Sequence, residues 1–192
     1  MHRRQPLPRL WMMTDERQGD AIWGALSRLP RGSGIVFRHY GLPARERRRL
    51  FEQMRREARR RNHRLLLAGP PGLAAAWRAD GSHGPGRGRP PQPRTASAHD
   101  LAQIRAAERS GAALVFLSPV FPTRSHPGAR VLGPLRFGLL ARQSRLPVIA
   151  LGGMDARGWQ RIRPLGAQGW AAIDAWSAAP AAKDQKRKAV PI

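Results

Sequence analysis

Short, nearly unbroken apolar runs alternate along this chain with longer stretches whose apolar residues return every third or fourth position. Unbroken runs of this kind read as parallel strands buried on both faces, and the periodic stretches as helices with one face on a sheet. The first run predicts a strand over 10–14, followed by a helix over 20–29 and a strand over 34–40. A long helix after Pro43 to about Asn62 comes next, then a strand over 64–68, a short helix over 73–78 and a short strand over 81–83. A strand over 95–98 leads into an amphipathic helix over 99–110, with Leu101, Ile104 and Ala107 on one face and Gly111 as its stop. Strands over 114–120, 148–151 and 170–173 complete the series, separated by helices over 135–144 and 156–165.

Eight strands with helices in nearly every gap predict the α/β class and a closed (β/α)8 TIM barrel rather than an open sheet. At 192 residues the barrel is lean. The segment 84–93 is too rich in glycine and proline to hold a helix after the fourth strand, so an irregular loop is expected there. The last helix is expected to be reduced as well, because the chain from Ser177 onward carries Pro180, Pro191 and a Lys-Arg-Lys cluster. The expected organisation is an N-terminal extension over 1–9, one barrel domain over 10–176 and a flexible basic tail over 177–192.

Composition narrows the chemistry. With no cysteine, disulfides and thiolate metal sites are excluded. The start lacks the apolar core of a signal peptide, and no apolar run reaches membrane-spanning length, so a soluble cytoplasmic protein is expected. A net charge of +23 would ordinarily suggest nucleic acid, but 32 of the 35 basic residues are arginine, and they are dispersed. Their densest group, between Arg45 and Arg61, lies on the polar side of the long helix, opposite Leu50, Phe51, Met54 and Ala58, so a solvated face is expected and nucleic-acid binding is not.

Candidate chemistry gathers at the C-terminal ends of the strands. Gly152 and Gly153 follow the seventh strand and leave main-chain N–H groups bare enough to meet a phosphate oxygen, with Asp155 placed to cap the next helix. The alternative is that the two glycines only relieve crowding at a strand-to-helix turn.

Several segments in matching order resemble the thiamine phosphate synthase family and its thiazole tautomerase (TenI-like) relatives. These are Leu10-Trp-Met-Met-Thr-Asp15, Ala79-Asp-Gly-Ser-His83, Ala96-Ser-Ala-His99, Ser118-Pro-Val-Phe-Pro-Thr123 and Ala150-Leu-Gly-Gly-Met154, and the likeness spans roughly residues 10–176. The resemblance implies a barrel that joins an aminopyrimidine pyrophosphate to a thiazole phosphate, with Mg2+ and basic groups stabilising the departing pyrophosphate. It implies phosphorylated small-molecule substrates, a ligand held by Gly152, Gly153, Thr123 and Ser125 with His83 and Ser97 nearby, and Arg38 and His126 as the catalytic candidates.

The chain also departs from that pattern. The family's Gln-x-Arg-x-Lys reads Val36-Phe-Arg38-His-Tyr40 here, its Asn-Asp after strand three falls on Ala68 and Gly69, and its later acid falls near Gly88. No residue is therefore assigned to a metal, although the resemblance would imply Mg2+ as cofactor. His126 stands where the family has lysine, Asp174 brings a carboxylate to the expected phosphate cup, and Pro119 occupies the position of the tautomerase histidine. Structural readings remain beside these: Arg38 pairing with Asp15, Asp15 capping a turn, His83 hydrogen-bonded within the barrel, and Ser97 and Thr123 satisfying loop amides.

Overall fold

The computed structural model of the chain describes residues 7–86, 91–124, 128 and 130–176. Eight parallel strands close on themselves in sequence order: β1 (Leu10–Met13), β2 (Gly34–Phe37), β3 (Arg64–Ala68), β4 (Gly81–His83), β5 (Arg94–Ala98), β6 (Leu114–Leu117), β7 (Val148–Ala150) and β8 (Gly169–Ala172). Closure is made by β1 against β8, with Leu10 opposite Trp170 and Met12 opposite Ala172. Around the barrel lie α1 (Ala21–Arg28), α2 (Ala44–Arg60), α3 (Pro71–Ala76), α4 (Leu101–Arg109), α5 (Gly133–Gln143) and α6 (Ala156–Ile162). This is the (β/α)8 TIM barrel that the alternation predicts. Among the described residues, no helix is long and apolar enough to cross a membrane.

Because side chains alternate across a strand, each strand feeds two cores. Trp11, Met13, Val36, Leu66, Phe116 and Ile149 point inward and fill the barrel. Their outward neighbours divide into one cluster under α1, α2 and α3, built on Ile35, Phe37, Phe51 and Met54, and one under α4, α5 and α6, built on Val115, Leu117, Phe137 and Ile162. On α2 the buried residues are Phe51, Met54 and Ala58, and most of its arginines lie on the other side, three of them paired with Glu52 or Glu57, while Arg47 turns in toward the barrel.

Two strands end three residues before their apolar runs suggest. β2 ends at Phe37 instead of residue 40, because the Arg38 N–H turns to Thr14 Oγ1 at 2.9 Å and His39 takes a left-handed conformation with φ 40°. β6 ends at Leu117 instead of residue 120, where the Ser118–Pro119 peptide is cis and Val120 N–H donates to Leu151 O at 2.9 Å.

No helix stands between β4 and β5 among the described residues, and residues 87–90 lie outside them. Arg94, only 2% exposed, braces this stretch from below. Its Nη1 donates to Gly84 O at 3.1 Å, and its Nη2 to the carbonyl and hydroxyl of Ser110 at the end of α4. The expected tail and reduced last helix, from Ser177 onward, lie outside the described residues.

Candidate functional site

The loops after β6, β7 and β8 meet closely at the C-terminal mouth of the barrel. Phe121 N–H donates to Gly152 O at 3.0 Å, drawing the β6–α5 loop against the turn after β7. Both glycines have positive φ, 91° at Gly152 and 61° at Gly153. A Cβ on Gly152 would lie 2.7 Å from Pro119, and one on Gly153 would lie 2.4 Å from Pro122 O. Packing alone therefore demands glycine at both positions, as the crowding alternative held. The same geometry also leaves chemistry available: among the described residues, neither glycine N–H has an acceptor. Asp155 caps α6 as expected, its Oδ1 accepting from Gly158 N–H at 2.7 Å.

These loops enclose a cavity of about 190 Å3, formed by residues 122–124, 151–154 and 172–175. Asp174 stands at its edge, and its carboxylate is met by the Arg124 guanidinium at 3.1 Å. The repulsion expected from this carboxylate is thus partly offset. A second cavity, of about 340 Å3, shares Thr123, Leu151, Gly152 and Ile173 with the first and extends to Arg38, His99 and Arg130.

Arg38 is held from two sides. Its Nε donates to Thr14 O at 2.7 Å and its Nη2 to Asp15 Oδ2 at 2.8 Å. Asp15 also accepts from Arg17, whose hydrogen bonds hold the carboxyl below its ordinary range, and it caps the single turn that follows β1. Thr14 Oγ1 lies 2.9 Å from His39 Nδ1, and burial pushes that buried imidazole down. Behind Arg38, Arg47 donates to Arg38 O at 2.8 Å and to Ala68 O at 2.7 Å, with the rings of Phe37, Tyr40 and Trp77 around its guanidinium.

The other expected residues are distributed differently. His83 Nδ1 lies 2.9 Å from Thr95 Oγ1 and its Nε2 3.3 Å from Ser97 Oγ, with the Phe116 ring edge-on to it. Burial, with a further push from the Arg38 charge, takes this imidazole down to about 4, so it is neutral at pH 7. His83 and Ser97 line a groove with Tyr40 and Gly86 and do not share the cavity of Arg38 and Gly152. Ser125 and His126 lie outside the described residues.

Two residues of the mouth were not among the expected site residues. His99 donates from Nδ1 to Ser118 O at 2.7 Å, and its ring lines the larger cavity. The Ala96-Ser-Ala-His99 segment carried that signal. Arg130 carried none, because its place depends on how the β6–α5 loop folds back.

A family model described as thiamine monophosphate synthase matches residues 26–176. The chain belongs to this family. A putative thiamine-phosphate synthase 2 of Aquifex aeolicus is 33% identical over 169 residues, covering 82% of this chain and 89% of that one. A thiamine-phosphate synthase of Geobacillus thermodenitrificans is 35% identical over 89 residues, covering 45% of this chain and 40% of that one. Among solved structures, thiamine phosphate pyrophosphorylase from Pyrococcus furiosus superposes with a TM-score of 0.76 at 26% identity, covering 88% of each chain.

The magnesium that the synthase family implies is poorly served by these residues. Ala68 and Gly69, at the end of β3, offer no side-chain oxygen, and the Arg47 guanidinium already sits on the Ala68 carbonyl. Asp15 and Asp174 are engaged by arginines, and the described residues contain no cluster of three potential metal ligands. A hard divalent cation needs oxygen donors free to face it, so the residues present do not fit the ion.

Proposed function

We propose that this chain binds a thiazole phosphate at the mouth of its barrel and couples it to an aminopyrimidine pyrophosphate. In that reaction a C–N bond forms to the thiazole nitrogen, and a C–O bond to pyrophosphate breaks with its electron pair leaving on oxygen. The phosphate would sit in the smaller cavity on the N–H groups of Gly152 and Gly153 and beside Thr123, and the pyrimidine half in the larger cavity toward Arg38 and His99. Arg38 would stabilise the departing charge, since oriented guanidinium groups act most strongly where charge develops. The observation that supports this reading is that the two cavities adjoin, sharing Thr123 and Gly152 in their walls. His83 is kept neutral by burial and supports the β4–β5 side from within the barrel.

Calorimetric titration of thiazole phosphate, with chromatographic detection of thiamine phosphate after addition of the second substrate, tests both halves. One-to-one binding that is lost in Gly153→Asp, together with product formation, is the expected result. Equal binding in the wild type and Gly153→Asp would place the phosphate elsewhere. A second reading, a ligand-binding barrel without coupling activity, is favoured by the missing oxygen donors at Ala68 and Gly69. Tight thiazole phosphate binding with no product at any magnesium concentration would select it.

A further inference from the structure

We propose that the pyrophosphate half of this site works without a divalent cation, and that Arg130 is a pyrophosphate-binding residue acting opposite Arg38. The proposal rests on the functional reading above. Its first support is electrostatic. At the end of β3, where a metal would need carboxylates, the molecule instead carries a fixed cation: Arg47 is bound to the Arg38 and Ala68 carbonyls. A divalent ion placed there would meet like charge in partly buried surroundings, where screening is weak.

The second support is geometric. Arg38 follows β2 and Arg130 follows β6, and these strands stand four places apart in a closed order of eight. Two residues so placed lie on opposite walls of the mouth, yet both line the cavity of about 340 Å3. An anion in that cavity would have an arginine on each side. Guanidinium groups pair with phosphate oxygens through two parallel N–H bonds and keep their charge at every working pH, so two of them can offset a large part of a pyrophosphate's charge without a metal.

The third support is how the charge is distributed. Arg17 and Arg38 share Asp15, and Arg124 is paired with Asp174. Arg130 is exposed and has no ion-pair partner among the described residues, so its charge is not already offset by a carboxylate.

Inorganic pyrophosphate titrated calorimetrically into the full-length protein tests this, once in EDTA and once with excess Mg2+. The expected result is a single site in EDTA, unchanged or weakened by magnesium. Arg130→Ala should weaken it about tenfold or more, the loss of about 1.4 kcal/mol or more expected for a charged hydrogen-bonded contact. Arg130→Glu should abolish binding, and Arg109→Ala, on the far end of α4, should leave it unchanged. Melting temperatures should not move, since Arg130 is exposed. Binding that appears only with magnesium, or an Arg130→Ala protein equal to the wild type, would overturn the proposal. Thiazole phosphate titrated into the same proteins separates the two claims: if it still binds, only the metal-free pyrophosphate site has failed, and if neither ligand binds, the functional reading has failed with it.

Discussion

Gly153 serves packing and ligand chemistry with the same backbone conformation. An alanine there must hold a left-handed φ, which costs about 1–2 kcal/mol, and must also push its methyl group against Pro122 O. Gly153→Ala is therefore expected to lower the melting temperature and weaken inorganic phosphate binding together; a variant that loses binding at unchanged stability would show that the methyl blocks the ligand alone. Asp174 offers the complementary case. Its pair with Arg124 is largely exposed, the arginine side chain being 82% accessible, and such pairs contribute little to stability. Asp174→Ser should thus leave melting unchanged while freeing Arg124 and removing a like charge, and phosphate affinity by calorimetry should rise severalfold. Unchanged affinity would mean that phosphate does not approach this edge.

The turn between α2 and β3 carries an acid-sensitive element. His63 is only 5% exposed, neither ring nitrogen makes a hydrogen bond of good geometry among the described residues, and burial, with the charges of Arg61 and Arg31 outweighing a weak backbone contact at Ser33, takes its imidazole down to about 4. The folded state thus binds fewer protons than the unfolded state, in which the group titrates near 6.5. The stability this contributes is complete above pH 6.5 and is lost as pH falls toward 4, at most about 3 kcal/mol. Chemical denaturation across pH 7 to 4 should show His63→Leu losing less stability than the wild type; parallel curves would assign the acid sensitivity to other groups, such as His83. Elements of this kind differ in how far the sequence shows them. Six of the eight strands were legible because they are apolar on both faces, whereas β4 and β5 are polar and were placed by their position in the alternation; the turn after β7 was legible because Gly152 and Gly153 punctuate it. The early end of β2 was not, because it is set by Thr14, a side chain just past the end of β1. The same holds for the site: Gly152, Gly153 and Arg38 stand beside recognisable strands, whereas the convergence of His99 and Arg130 on one cavity exists only once the barrel closes.

At the scale of the whole molecule, a net charge of +23 is expected to act as a diffuse field and not as a docking surface. On α2, Glu52 takes both Arg48 and Arg55, and Glu57 takes Arg60, so the densest basic stretch is partly offset from within. Duplex and single-stranded DNA should bind no tighter than micromolar near physiological salt; nanomolar affinity with a steep salt dependence that flattens on replacing the arginines of α2 would reverse this expectation. The side of the barrel at β4 and β5 has a different effect. A closed barrel hides every strand edge only while each of its seams holds, and the seam between β4 and β5 rests on two residue pairs, Ser82 with Arg94 and His83 with Thr95. The seam between β7 and β8 is equally short but lies under Phe137, Leu140 and Ile162 of the neighbouring helices. In native-state hydrogen exchange the Ser82 and Gly84 amides, which bridge β4 and β5, should therefore exchange faster than the Gln168 amide bonded to Val148. Where the described residues hold no helix, the barrel has a place to unzip.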